Sequence, residues 1–259
     1  MKGLIIKDFM CLRKNAKVLI FSFVGIILLG LMILLSMRYG NIYRWNQEAI
    51  ADGSANVEST EAVFSFVVML FMAIPVMLAG EPAMLLDLDG KAGFDKVYSS
   101  LPVPIEKRVA AKYISYILFT GVSVIVDVIL AVGMSFMIDF LQLQELLKIV
   151  MATASFVVII GALTIFLIYC LGYAQCINSG VYSAIIVFGV IILLNFEKTK
   201  MFFKLLFSSE EQEGSADVVR GMINSFSNSS WHFLIAAIVT LSLSLVGTIF
   251  VVKRKRGMI

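Results

Sequence analysis

A carboxylate in the middle of an apolar run is where this chain most invites chemistry. Asp127 stands within Ser-Val-Ile-Val-Asp-Val-Ile-Leu-Ala, residues 123–131. At the centre of a bilayer an ionised carboxylate costs at least about 2.5–3.5 kcal/mol. Such a group acts as a relay or a substrate contact, or it stays neutral and hydrogen-bonded. Thr120, Ser155 and Thr164 are the hydroxyls on offer for the second case. Both readings are open. Pro75 lies in another apolar run, where it removes a backbone hydrogen bond and can kink a helix beside a path. Glu81-Pro82 closes that run, and a hydrated helix end accounts for Glu81 as well as function does.

The remaining reactive residue types do not converge. A phosphate-binding loop reads G-x-x-x-x-G-K-[ST]. The nearest approach is Gly90-Lys91, but Leu85 stands where the first Gly is needed and Ala92 follows the lysine. His232, the single histidine, sits beside Trp231 at the start of the last apolar run and reads as an interfacial residue. No H-E-x-x-H or G-x-S-x-G occurs, so zinc and serine hydrolases find no support. Neither a metal nor a cofactor is expected. Cys11, Cys170 and Cys176 form no disulfide framework. Asn228-Ser229-Ser230 matches a glycosylation acceptor, but nothing else indicates a eukaryotic secretory protein.

The elements that must position these residues are membrane helices. The chain is 60% hydrophobic and 15% charged, with a mean hydropathy of +0.95. A soluble domain has about 45–50% apolar and about 25% charged residues. Lipid must therefore cover much of the surface. The net charge of +3 is small and spread over loops, so nucleic acid is not an expected partner.

Six stretches of about 17–26 mostly apolar residues fit the roughly 20 helical residues that cross a bilayer core. They run over about 18–37, 62–79, 112–137, 146–171, 181–196 and 231–252. The first reads as a retained span, because no small-residue cleavage site follows it. Before it, Leu4, Ile5, Phe9 and Leu12 share one arc of a helical wheel, with Lys7 and Lys14 opposite. Ile6 and Asp8 spoil that separation. The pattern predicts an N-terminal helix lying on the membrane surface before the chain turns inward.

Lys and Arg set the orientation. The N-terminal arm holds five, the second connection five and the tail four, against seven of the 21 on the other side. This places both termini in the cytoplasm, and six crossings return the Lys253-Arg254-Lys255-Arg256 tail to that side. Lys198, Lys200 and Lys204 disagree, falling in the outer loop of about 197–230. That loop carries Met201, Phe202, Leu205 and Leu206, then Val219, Met222, Ile223 and Phe226, at one-turn spacing. Two short amphipathic outer helices are expected there.

The second connection contains Asp-Leu-Asp-Gly-Lys-Ala-Gly-Phe-Asp-Lys-Val-Tyr-Ser-Ser-Leu-Pro-Val-Pro, residues 87–104. Phe94, Val97, Tyr98 and Leu101 recur at three- and four-residue steps, with Asp95 and Lys96 on the other side. Pro102 ends this short helix, and Pro104 can open the next. A surface helix joined stiffly to a membrane helix can take a push from a soluble partner, or can simply tether two spans.

Three motifs then carry a resemblance. Met1, Leu4, Lys7 and Asp8 form M-x-x-L-x-x-K-D; Ser100 to Pro104 read S-L-P-V-P; Val109 to Tyr113 read V-x-A-K-Y. Together with six spans, this resembles the permease subunits of ABC-2-type exporters. The likeness in layout covers nearly the whole chain, and its specific part is about 25 residues around S-L-P-V-P.

The resemblance implies one permease domain over residues 1–259 with an amphipathic elbow helix over residues 1–15. It implies a coupling helix over about 87–101 that includes Asp87 and Asp89, and outer helices over 200–226. It implies a second permease subunit, identical or homologous, and two ABC ATPase subunits per complex. The path would lie between the first, second and fifth spans of the two permeases, in a bacterial cytoplasmic membrane. Peptides, antibiotics and other amphiphilic compounds are the implied cargo. A non-transporting immunity or anchoring protein would use the same spans. A secondary transporter would show repeated halves and several intramembrane charges, which are not evident here.

Overall fold

The computed structural model describes residues 2–42, 44, 48, 57–78, 80–93, 103–137, 143–194, 228–255 and 257. Every regular element among them is helical. Helix α1 spans Lys2–Tyr39, α2 Val57–Leu78 and α3 Glu81–Lys91. Helix α4 spans Ile105–Met137 and α5 Leu143–Leu171. A 3-10 turn, Tyr173–Gln175, leads to α6, Cys176–Leu194. Helix α7 spans Ser230–Lys255.

Five stretches among the described residues are long and apolar enough to cross a bilayer: Ile20–Tyr39, Leu70–Lys91, Ile105–Phe136, Leu143–Leu171 and Ser230–Lys255. The expected span at 181–196 corresponds to α6, whose apolar part, Asn178–Ile192, is shorter than these. Polar residues close it at the start, where the Asn178 side chain donates to Gln175 Oε1. The full 19 residues of α6 rise about 28 Å at 1.5 Å each.

Two expectations need correcting. The N-terminal arm is not a separate surface helix that turns inward. Helix α1 runs unbroken for 38 residues, because no proline interrupts it and its first turns are held alongside α4. Phe9 stacks on Phe119 with ring centroids 4.5 Å apart. The inward face there is Leu4, Ile5 and Asp8, so the residue that spoiled the amphipathic pattern is the one most deeply buried.

The second span is also displaced. It does not stop at residue 79 before a solvated segment; α3 follows directly and packs on α5 and α6. Glu81, Pro82, Leu85, Leu86 and Asp89 are buried, and that spacing is one face of a helix. Gly80 caps α3 and Pro82 sits in its first turn, where the missing N–H is harmless. At the other end Gly93 has φ +66°, a left-handed exit that glycine permits.

Helix α5 is the centre of the bundle. It touches α2, α3, α4, α6 and α7, as suits a helix that is apolar on all sides. One core cluster joins Leu86, Tyr113, Tyr116, Val157, Ile165 and Val187. A second joins Leu34 to Val67, Phe71, Ala131, Met134 and Ile149.

Buried hydroxyls in lipid need partners, and several here find them across helices. The Tyr113 hydroxyl lies 2.5 Å from Ser244 Oγ and 2.9 Å from Thr248 Oγ1. Ser244 Oγ donates to the Ala162 carbonyl at 2.6 Å. Thr164 and Ser183 pair at 2.6 Å. These bonds tie α7 and α6 to α4 and α5.

Helix directions follow from contacts at the ends. At one end Lys7 of α1 meets Asp89 of α3, Lys253 of α7 meets Glu106 of α4 at 2.6 Å, and Lys255 donates to the Tyr169 and Cys170 carbonyls at 2.8 and 2.9 Å. At the other end Arg38 donates to the Phe136 carbonyl at 2.7 Å. The start of α1 and the close of α7 therefore share one end of the bundle. Lys255 places a cation at the C-terminus of α5, where free carbonyls and the helix dipole favour it.

Candidate functional site

The densest buried charge in the described residues lies at that shared end. It is built from three helices. Helix α1 supplies Lys7 and Asp8, α3 supplies Asp89, and α4 supplies Lys112 and Ser115. Lys112 Nζ lies 2.6 Å from Asp8 Oδ1 and 2.6 Å from Asp89 Oδ2. Lys7 Nζ donates to Asp89 Oδ1 at 2.5 Å and lies 3.5 Å from Asp8 Oδ1. Ser115 Oγ donates to Asp8 Oδ2 at 3.0 Å.

Asp8 is 1% exposed, Asp89 4% and Lys112 8%. Two acids and two bases balance, so the cage is neutral as a unit. Each carboxylate takes donors on both of its oxygens, the condition under which a buried ion pair is tolerable. A cavity of about 40 Å³ opens beside it, lined in part by Arg108, Tyr169 and Tyr173. That is room for roughly three waters at about 10–15 Å³ each.

The helices reach the cage by local necessity. Asp89 falls eight residues after Glu81, on the buried face of α3. Gly90 lets α3 approach the 3-10 turn, since a Cβ there would meet Tyr173 Cβ at 2.8 Å. Pro104 precedes α4 and accepts from the Lys107 and Arg108 amides at 3.1 and 3.2 Å. Arg108 Nε donates back to the Val103 carbonyl at 2.8 Å. The last described residue after α3, Gly93, and the first before α4, Val103, thus flank segment 94–102 on the cage side.

Three of the four cage residues belong to sequence motifs. Lys7 and Asp8 end M-x-x-L-x-x-K-D, and Lys112 is the lysine of V-x-A-K-Y. A family profile, described as ABC-2 family transporter protein, matches residues 54–253. The chain belongs to the ABC-2 transporter family. Neither the curated proteins nor the solved structures contain a match to it. As an ABC-2 permease, the chain is a multi-pass transporter membrane subunit and not itself the catalyst. Such permeases usually work with ABC ATPase partners.

The residues singled out in the ABC-2 sequence fall in three places. Asp87 and Asp89 lie on α3, but only Asp89 enters the cage. Asp87 pairs with Lys91 at 2.6 Å on the exposed side, a one-turn pair worth little stability. Phe94, Asp95, Lys96, Val97, Tyr98, Leu101 and Pro102 lie outside the described residues, as do the outer helices expected over 200–226. Pro75 is fully buried inside α2.

Asp127 is 4% exposed and faces a different cavity, between α2, α4 and α5. None of the three expected hydroxyls serves it. Thr120 donates to the Tyr116 carbonyl, Ser155 to the Met151 carbonyl and Thr164 to the Ile160 carbonyl. Asp127 Oδ1 has no hydrogen-bond partner among the described residues. Glu81 is likewise no hydrated helix end. It is 6% exposed, and its Oε2 is unpartnered among the described residues. His232 is exposed in the first turn of α7.

Sequence reasoning missed the cage itself. The signal was present in Asp8 and Lys112, charges set where their helices otherwise turn apolar residues inward. Asp89, lost among Asp87 and Lys91, carried no such mark.

Proposed function

We propose that this chain is the permease subunit of an ATP-driven exporter in a bacterial cytoplasmic membrane. Residues 1–259 form one domain with six crossings, α6 supplying the crossing that falls short by apolar length. Both termini, the charged cage and segment 94–102 face the cytoplasm. A second permease subunit completes the path, and two ABC ATPase subunits dock on the coupling segment. The cargo is a peptide, an antibiotic or another amphiphile, and Pro75 and Asp127 lie along its route.

The observation that carries this reading is the double hold on Asp89. Helix α3 leads directly into segment 94–102, and Asp89 is gripped by Lys7 of α1 and Lys112 of α4. A push on that segment reaches three helices at once rather than bending one loop. Support for the sidedness comes from the even number of crossings that the shared end requires, and from the excess of Lys and Arg on that side. Support for a separate motor comes from ABC-2 membership and from a sequence without a phosphate-binding loop.

The test is capture of the motor. Tagged chain extracted in mild detergent is expected to hold a protein that hydrolyses ATP. Phe94→Ala with Val97→Ala is expected to lose at least nine-tenths of the captured ATPase activity, with the permease yield unchanged. That assumes apolar contacts of the usual hot-spot size, about 2 kcal/mol each. Equal ATPase capture by the double variant would refute the docking assignment.

A further inference from the structure

The Asp127 cavity has a chemistry of its own. It measures about 30 Å³ and lies in the half of the bundle away from the charged cage. Asp127 is 15 residues beyond Lys112, about 22 Å along α4. Phe71 and Met72 of α2, Met134 of α4, and Leu146 and Thr153 of α5 line it with Asp127. The walls are almost entirely carbon. Within them Asp127 Oδ1 stands without a donor among the described residues. Thr153 spends its hydroxyl hydrogen on the Ile149 carbonyl at 2.5 Å, which leaves its oxygen free to accept.

Two acceptors and no donor, in an apolar shell, describe a site short of one positive group. We infer that this cavity takes the primary ammonium head of an amphiphilic substrate, with Asp127 as its counter-ion. Size selects the head group. A volume of about 30 Å³ holds roughly two water-sized groups, which fits an ammonium and its first methylene. A guanidinium is a rigid plane of four heavy atoms and fits less well. The Phe71 ring offers a face to a cation, and Met72 and Met134 are flexible enough to follow different carbon tails. The inference rests on the reading that this bundle moves a substrate, and adds the charge class that the substrate carries.

The experiment compares two probes that differ in charge alone. Purified full-length chain is heated in detergent with hexylammonium or with hexanol at equal concentration. Hexylammonium at about ten times its dissociation constant is expected to raise the midpoint by about 4 °C, and hexanol by less than 1 °C. Asp127→Asn, which keeps shape and removes charge, is expected to erase the difference. Glu145→Gln, on an exposed acid of α5, is expected to preserve it. Equal shifts with both probes in the unaltered chain would overturn the inference, since they need no Asp127 variant to interpret. A difference that survives Asp127→Asn would overturn it too, by placing the ammonium elsewhere. Either failure leaves ATPase capture by the same preparation untouched, so it would remove this site and not the permease reading.

Discussion

Lys112→Met is expected to destabilise the detergent-solubilised protein by about 3–5 kcal/mol, the usual cost of stripping one partner from a buried ion pair. The reason is the balance of the cage. Lys112 alone touches both carboxylates, Asp8 and Asp89, at 2.6 Å. Removing it leaves two buried acids for Lys7. Methionine fills the same volume, so the loss is electrostatic rather than a cavity. Asp8→Asn in the same chain restores neutrality, and the double variant is expected to be more stable than Lys112→Met alone. Unfolding in mixed micelles measures both. Additive losses would mean that the two side chains do not share a network.

Gly161→Val is the second large effect, expected to cost about 3 kcal/mol or more. A Cβ at Gly161 would stand 2.0 Å from Cζ of Tyr116. The ring cannot swing aside cheaply, because Tyr116 is fully buried and its hydroxyl donates to the Val157 carbonyl at 2.7 Å. Either the ring leaves that bond or α4 and α5 separate, and overpacking of this kind costs about 1–3 kcal/mol per extra group. Gly121→Val is the control. It sits on α4 with open space around its Cβ, so it bears only the helix-propensity difference, which favours valine slightly. A Gly161→Val melting temperature equal to that of the native chain would place α4 and α5 further apart than described.

How far the sequence could be read follows from the solvent. Spans at α1, α4, α5 and α7 were legible to within a few residues at most of their ends, because lipid demands long apolar runs and little else. The second crossing was not, because α3 buries Glu81 and Asp89 among Leu85 and Leu86. Those charges depress hydropathy just where the helix enters the bundle. A window reads that as solvent, whereas three-dimensional neutralisation by Lys7 and Lys112 makes it interior. The same blindness hid the role of Asp8, which looked like a flaw in an amphipathic helix until its partner on α4 was known. Asp127 was legible as a buried acid but its neighbours were not. Thr120, Ser155 and Thr164 turn their hydrogens back to carbonyls of their own helices, the commonest choice for a hydroxyl in a membrane helix.

The link between α3 and its neighbours also makes the elbow unnecessary as a separate element. With Lys7 holding Asp89 and Phe9 on Phe119, α1 is already clamped to the coupling side. In the proposed mechanism, one rigid helix carries the movement of that side along its whole length toward Arg38.

The central claim is that segment 94–102 meets an ATP-hydrolysing partner on the same side as the charged cage. Site-specific crosslinking in native membranes tests it most directly. A photoreactive residue at Tyr98 is expected to trap the ATPase, while the same residue at Met222 in the outer loop is expected to trap none. An ATPase crosslinked at Met222 and absent at Tyr98 would contradict the orientation and the coupling scheme together.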